Sequence, residues 1–163
     1  MAFIYLDQDI GLLYTPYMNT NEYAWAAGII DGEGCIYITV EIPNSNNFQV
    51  SLSHRLSLEV RMVHQPTILK LQHIFNIGSV KQRKPRNKHH KTQWRWCVLQ
   101  NEAAKVLTVL QPFLFVKQSQ CRVALRFHKL CKRHWHRNNE LIPFNALLRK
   151  ETCRIKLHKL NHQ

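Results

Sequence analysis

Apolar and polar residues alternate strictly along two neighbouring stretches of the chain. In residues 35–42 every even position is Ile or Val, and in residues 50–62 every even position is apolar except His54. A period of two is typical of a strand with one buried face. Residues 43–47 between them are rich in turn-forming types. The pattern therefore predicts an antiparallel hairpin.

Helical periodicity flanks this hairpin and returns after it. A second pair of strands is predicted near residues 79–84 and 92–99. Pro66 and Gly78 are placed to begin and end the helix between the two strand pairs. The predicted helices cover residues 22–30, 67–76, 101–111, 117–135 and 144–160. The predicted fold class is therefore α+β, with element order αββαββα, a four-stranded antiparallel sheet covered by helices on one face, and additional C-terminal helices.

The 163 residues are enough for one domain with a sizeable core. Residues 1–20 show no clear period and are interpreted as an N-terminal arm. Residues 21–135 form the predicted domain, and residues 136–163 a C-terminal helical extension. Trp94 and Trp96 could stack on bases, but their even positions favour the core.

The uncovered face of the predicted sheet carries the odd-numbered strand residues. These side chains are polar and together carry a net positive charge. Arg, Gln, Ser and Thr on a rigid ribbon are suited to contact base edges in a major groove. The residues that we predict on this face are Tyr37, Thr39, Glu41, Ser53, Arg55, Ser57, Glu59, Arg61, Lys81, Arg83, Gln93 and Arg95.

Charge is distributed unevenly along the chain, whose formal net charge is +13. Residues 1–80 contain three basic and seven acidic residues, whereas residues 81–163 contain 20 basic and three acidic residues. Such asymmetry indicates a polyanionic partner, most simply a nucleic acid.

Several classes of protein are disfavoured by the sequence. No apolar run approaches the ~18 residues of a membrane span. The first nineteen residues lack a basic start and carry Asp7 and Asp9, which is not typical of a secretory or transit signal. The five cysteines are odd in number and form no CxxC pair, so we expect a reducing compartment and no disulfide framework.

Residues 26–34 read Ala-Ala-Gly-Ile-Ile-Asp-Gly-Glu-Gly at the end of the first predicted helix. This segment resembles the signature of the LAGLIDADG homing endonucleases, with Ala26 in place of the usual Leu and Glu33 as the second acid. The resemblance extends through Ile77-Gly78-Ser79-Val80 and Gln111-Pro112-Phe113-Leu114, which leads to Lys117. It covers about residues 22–130.

The resemblance implies a saddle-shaped sheet and a site-specific endonuclease that hydrolyses both strands of a long double-stranded DNA site. The chain has one copy of the motif, and single-motif members work as homodimers on pseudo-palindromic targets. The dimer contact is expected at Ala26, Ala27 and Ile30, because small residues let a second helix approach closely.

The resemblance also implies the catalytic residues. Glu33 would be the metal ligand, and the carbonyl of Gly32 a second one. Lys117 matches the family's basic residue near the scissile phosphate, and His64 stands where many members have a solvent-positioning Gln, with Gln65 adjacent. The implied cofactor is Mg²⁺, or Mn²⁺ or Ca²⁺ in a trapped state.

We divide the expected DNA contacts into two groups. Base contacts are expected from the strands, and phosphate contacts from the basic loop and a later helix. The base-contact candidates are Arg55, Arg61, Lys81, Arg83 and Arg95, with Tyr37, Thr39 and Ser57. The phosphate-contact candidates are Lys84, Arg86, Lys88, Lys91, Arg122 and Arg126.

The expected partners are DNA and a second copy of the chain, without a membrane or a small-molecule substrate. The expected location is a chloroplast, a mitochondrion, or a bacterial or phage-infected cytoplasm, for an intron-encoded protein that is not secreted. The alternative function is nucleic-acid binding without cleavage, as in an intron RNA maturase or a DNA-binding regulator. Glu33 and Lys117 favour cleavage, since a pure binder needs no carboxylate directed at phosphate.

Overall fold

The computed structural model describes residues 20–41, 53–85, 91–133 and 143–162. The predicted arm therefore lies outside the described residues, apart from Thr20. The order of the first seven elements is the predicted αββαββα, and the α+β class is confirmed. The elements are α1 (Thr20–Glu33), β1 (Gly34–Glu41), β2 (Ser53–Met62), α2 (Gln65–Phe75), β3 (Ser79–Arg83), β4 (Gln93–Leu99), α3 (Gln100–Leu110), α4 (Gln118–Arg133) and α5 (Phe144–Leu160).

The four strands form one antiparallel sheet in the order β1-β2-β4-β3. Val60 is opposite both Gly34 and Trp96, and Trp96 is in turn opposite Val80. Because residues of equal parity share a face, even-numbered positions on all four strands point to the same side. This side is the one that the helices cover.

The core lies between the even-numbered strand residues and the helices. Trp96 is fully buried at its centre, donates its indole N–H to the Ile77 carbonyl at 3.0 Å and stacks on Phe75. The prediction that Trp96 is a core residue is confirmed, and Trp94 packs half-buried against the same core. The largest fully buried side chains include Trp96, Phe127, Ile30, Ile36, Leu56, Leu58, Ile68, Leu71, Leu107, Leu110, Leu157 and Val60.

Helix α1 is longer than the predicted 22–30 and passes directly into β1. It continues past residue 30 through Gly32 and finishes at Glu33. Gly34 makes this abrupt junction possible, because a Cβ there would lie 2.6 Å from the Ile30 carbonyl oxygen. The helix also begins at Thr20, two residues before the predicted start at residue 22.

The start of α3 also differs from prediction. The helix predicted over 101–111 begins one residue earlier, at Gln100, after a Leu99 N-cap without a side-chain hydrogen bond. Gln100 has a φ of 49°, which is uncommon for a residue with a side chain. Its amide accepts from Leu56 N–H and donates to the His54 carbonyl, both at 3.3 Å. Gln100 thereby satisfies the β2 backbone beyond the end of β4.

Helices α4 and α5 complete the layer over β1 and β2. Phe127 of α4 is in ring contact with His54, and Leu157 of α5 joins the same core. Asn161, just after α5, donates its side-chain amide to the Ile36 carbonyl at 2.8 Å. The described part of the predicted extension is therefore packed onto the sheet. Within the described ranges, no helix has the length and apolarity needed to cross a bilayer.

A charged cluster fastens α5 to β2. Glu151 accepts from His54 Nε2 at 3.0 Å and from Arg154 Nε and Nη2, and His54 is almost fully buried. The hydrogen bond with Arg154, and then that with His54, lowers the pKa of Glu151 to about 2. The five cysteine thiols are free, as expected.

This cluster predicts a loss of stability in acid. The folded-state pKa of Glu151 lies below its ordinary value of 4.5. Its contribution to the free energy of unfolding is therefore complete above pH 4.5 and falls as the pH drops towards about 2. The measurement is the urea midpoint of the wild type and of Glu151→Gln between pH 7 and pH 2. We expect the two midpoints to differ at neutral pH and to converge in acid; a constant difference would contradict the prediction.

Candidate functional site

The end of α1 presents an acidic side chain at the rim of the sheet. Glu33 is exposed and is the last helical residue before β1. Gly32 is also exposed, and a Cβ added to it would meet nothing within 4 Å. The carboxylate of Glu33 and the backbone of Gly32 are therefore accessible to a ligand or a second macromolecule.

Lys117 is held against the same end of α1. Its ammonium donates to the Asp31 carbonyl oxygen at 2.5 Å. The Asp31 carboxylate in turn accepts from the backbone N–H groups of Phe115 and Lys117, each at 2.8 Å. Burial raises the pKa of Cys35, which is two residues after Glu33, and the positive charge of Lys117 partly offsets this rise. The structure therefore brings Lys117 into the neighbourhood of Glu33.

Asp31 holds the segment that carries Lys117, a contact that the sequence alone does not indicate. Its two carboxylate oxygens fix the segment before α4, and so the position of the Lys117 side chain. The available signal was the position of this acid inside the motif, two residues before Glu33. What the sequence could not show is that residues 115–117, more than eighty positions later, meet it.

His64 lies at the same end of the sheet, but farther along. Gly34 pairs with Val60 at the start of β1, and β2 continues past this pair to Met62. His64 is four residues beyond Val60, a span of roughly 13 Å along an extended chain. It occupies the N-cap position of α2, and its Nδ1 lies 2.8 Å from the Thr67 hydroxyl. His64 as a whole is exposed to solvent.

A divalent cation would find oxygen donors of a suitable kind at Glu33 and Gly32. Carboxylate and carbonyl oxygens in an open position fit Mg²⁺, which retains waters and takes few protein ligands. In the part of the chain that the structure describes, no group of three or more His, Cys, Asp or Glu side chains could hold a metal.

Basic side chains lie side by side on the open face of the sheet. Arg95 is opposite both Arg61 and Lys81, so the three form one row across β2, β4 and β3. Arg83 pairs with Gln93 in the next row. Lys81, Arg83 and Lys84 are exposed. Four of the predicted base-contacting cations are thus grouped at one end of this face, and Lys84 follows directly after β3.

A buried acid lies among these cations. Glu59 is 3% exposed, although it is on the face that was predicted to be open. It accepts a hydrogen bond from Arg61 Nε, and Arg95 Nε lies 2.9 Å from its other oxygen. The alternation along β2 predicts Glu59 on this face but indicates no role for it. Its two-residue spacing from Arg61, which puts both on one face, was the available signal.

The remaining predicted base-contacting residues differ in exposure. Tyr37 is half-buried and donates its hydroxyl to Glu59 at 3.1 Å; burial and then the charge of Glu59 raise the pKa of this hydroxyl. Thr39 is also half-buried, and its hydroxyl donates a hydrogen bond to the Arg55 carbonyl at 3.4 Å. Ser57 is only 2% exposed, because its short side chain lies between Tyr37 and Leu99 in one cross-strand row. The expectation that Ser57 contacts a base is corrected accordingly.

The predicted dimer-contact residues also need correction. Ala26, Ala27 and Ile30 are each 0% exposed, because they face the sheet and belong to the protomer's own core. The small residues on the outer side of α1 are Ala24, Gly28 and Gly32, spaced four residues apart. A Cβ at Gly28 would meet nothing within 4 Å. The accessible small-residue stripe is therefore shifted around the helix from the predicted one.

The predicted phosphate contacts fall into three groups. Lys84 and Lys91 are exposed at the ends of the basic loop, whereas Arg86 and Lys88 lie outside the described residues. Arg122 and Arg126 are exposed on α4, which packs on the other face of the sheet. These two arginines are therefore separated from the basic open face by the sheet itself.

The chain is similar to one protein family and to several solved structures. The family model described as LAGLIDADG endonuclease matches residues 26–130, more than half of the chain. No curated protein sequence matches significantly. Among solved structures, I-CvuI bound to a DNA target with Mg²⁺, in which the DNA is not cleaved, has a TM-score of 0.68 at 22% identity, with 87% of this chain and 85% of that chain covered.

Two further homing endonuclease structures show the same fold. The archaeal intron-encoded I-Vdi141I, complexed with DNA, has a TM-score of 0.69 at 16% identity, with 86% of this chain and 84% of that chain covered. I-TnaI has a TM-score of 0.60 at 16% identity, with coverage of 86% and 93%. The similarity thus extends over most of both chains in each case.

Proposed function

Because the chain belongs to the LAGLIDADG endonuclease family, we propose that it is a site-specific DNA endonuclease that cuts both strands of a pseudo-palindromic duplex as a homodimer. The observation that carries this proposal is the end of α1. There an exposed Glu33 ends the helix, and the ammonium of Lys117 is bonded to the carbonyl of Asp31, two residues before Glu33. A carboxylate and a fixed cation at the rim of a basic sheet are suited to phosphodiester hydrolysis.

The residues of this chain would divide the chemistry among them. Glu33 and the Gly32 carbonyl would hold a divalent cation, which activates water and stabilises the leaving oxygen when bound. Lys117 would offset the charge that develops on the scissile phosphate. His64 would orient solvent through its exposed imidazole edge, with the ring fixed by Thr67. The base-contacting strands would hold the duplex in register.

The homodimer is supported by the surface that α1 leaves uncovered. Ala24, Gly28 and Gly32 allow close approach of a second helix. Phe115 is 89% exposed and Val116 is also exposed, in the segment that Asp31 holds against the end of α1. We infer that the dimer contact consists of the small-residue stripe together with this apolar segment. Two copies related by a twofold axis would then place their Glu33 side chains together.

The stripe gives a direct test of the dimer. Gly28→Leu adds a side chain where the protomer leaves open space, so we expect the fold to persist and the dimer to dissociate. Sedimentation velocity should give a dimer for the wild type and a monomer for Gly28→Leu. Thr108→Leu, at an exposed position of α3, is the matched control and should remain dimeric. A dimeric Gly28→Leu would contradict the proposed contact.

The proposed activity is tested on the DNA that flanks the gene. The uninterrupted insertion site of the host element is the expected substrate. We expect the full chain to cut this duplex at one position in Mg²⁺, and not in EDTA. Binding in both conditions without any nick would favour the alternative, a nucleic-acid-binding protein that does not cleave.

A further inference from the structure

Glu59 occupies the middle of the basic face and contacts side chains from three strands. Tyr37 comes from β1, Arg61 from β2 and Arg95 from β4. The carboxylate itself is almost inaccessible, whereas the side chains of Arg61 and Arg95 remain 46% and 38% exposed. Glu59 therefore supports two cations that extend to the surface, while it cannot contact DNA bases itself.

Both arginines place Nε next to this acid, but only Arg61 forms a hydrogen bond to it through that atom. The Nε of Arg61 donates to one carboxylate oxygen, and the Nε of Arg95 lies 2.9 Å from the other. A guanidinium has five N–H donors in a rigid fork, so engagement through Nε leaves the terminal Nη groups to contact an outside acceptor. Glu59 therefore holds the Arg61 guanidinium by a hydrogen bond at its inner edge and the Arg95 guanidinium by an ion pair.

Burial of a carboxylate is unfavourable unless it is paired. Here one acid is shared by two cations, so the cluster keeps a net positive charge for an anionic or acceptor-rich partner. A free arginine also loses much rotamer entropy when it binds. Because Glu59 restricts both side chains before DNA arrives, that loss is reduced on binding and the geometry is set in advance.

We propose that Glu59 is a specificity-determining residue, which orients Arg61 and Arg95 to read guanines at neighbouring base pairs in each half-site. The inference rests on the proposed function. Arginine bonds the O6 and N7 atoms of guanine through two parallel donors, the commonest specific contact in the major groove. Arg61 and Arg95 are directly opposite on adjacent strands, about 5 Å apart, and successive bases are about 3.4 Å apart.

The alternative role for Glu59 is solely to neutralise charge on the sheet. That role would affect total affinity for DNA but not the preference for one base over another. The two roles therefore differ in what they predict for base preference, and a charge-matched control separates them. Glu102 is an exposed carboxylate at the start of α3, so Glu102→Gln changes the net charge as Glu59→Gln does.

The experiment selects bound duplexes from a randomised DNA library in Ca²⁺ and sequences them. We expect the wild type and Glu102→Gln to enrich guanine at two neighbouring positions of each half-site. We expect Glu59→Gln to lose this preference by roughly tenfold or more at both positions, because its arginines are no longer fixed. Unaltered guanine preference in Glu59→Gln would overturn the proposal.

Two further variants keep the proposal testable if Glu59→Gln does not fold. Arg61→Lys and Arg95→Lys retain the charge next to Glu59 but remove the rigid two-donor fork. Each should abolish guanine preference at one position and leave the other. Retention of both preferences in both variants would overturn the inference. A wild type that enriches no duplex would instead contradict the proposed function itself.

Discussion

Glu33→Gln is expected to lower DNA cleavage by at least about a hundredfold, since even partners of metal ligands commonly contribute 10- to 100-fold. Glutamine keeps the size of the side chain but removes the charge that would hold a divalent cation. Glu33 is exposed, so the substitution should leave the thermal midpoint nearly unchanged. Cleavage of the insertion-site duplex in Mg²⁺, followed over time, is the measurement.

DNA binding separates this effect from misfolding. Glu33→Gln should bind the duplex as tightly as the wild type or slightly more tightly, because one negative charge near phosphate is removed. Glu102→Gln makes the same charge change at the start of α3 and should retain full cleavage. Wild-type cutting by Glu33→Gln, or an equal loss in Glu102→Gln, would refute the role of Glu33.

Asp31→Asn is expected to disturb the site without touching DNA. Both carboxylate oxygens accept backbone N–H groups, of Phe115 and Lys117. An amide offers one acceptor and turns a donor towards the second N–H, which costs about 1–3 kcal/mol. Lys117 then loses its fixed position, and we expect cleavage to fall by about 10- to 100-fold. The measurements are a urea unfolding curve and single-turnover cleavage.

A double-mutant cycle shows whether Asp31 acts through Lys117. Lys117→Met removes the ammonium while keeping an extended side chain. If Asp31 serves mainly to position Lys117, Asp31→Asn should reduce cleavage much less in the Lys117→Met background than in the wild type. Fully additive losses would show that Asp31 acts on cleavage by another route.

Much of the fold could be predicted because local patterns determine it. The period of two in β1 and β2 placed the even residues in the core, and the helical period with Pro143 gave the range of α5 as 144–160, as observed. The errors lie where tertiary contacts override local signals. Gln100 rather than Asn101 starts α3, because its side-chain amide completes the hydrogen bonds of the β2 backbone.

The site could be predicted only in part, and for a physical reason. A motif identifies Glu33 and, with its distant landmark, Lys117, but not which side of α1 faces the protein interior. Ala26, Ala27 and Ile30 are apolar or small, and such residues suit a core as well as an interface. Glu59 has meaning only once β1, β2 and β4 are adjacent, because its partners come from three strands.

Mixed dimers of wild-type chain and Glu33→Gln test the central claim most directly. The two chains are co-expressed at equal levels, purified together and assayed in Mg²⁺ for the total number of strand cuts in the insertion-site duplex, with nicks counted as well as double-strand breaks. If each cut needs a Glu33 from both copies, about one quarter of the wild-type activity should remain, since random pairing makes one dimer in four fully wild type. Retention of about one half, as for copies that act independently, would contradict the account.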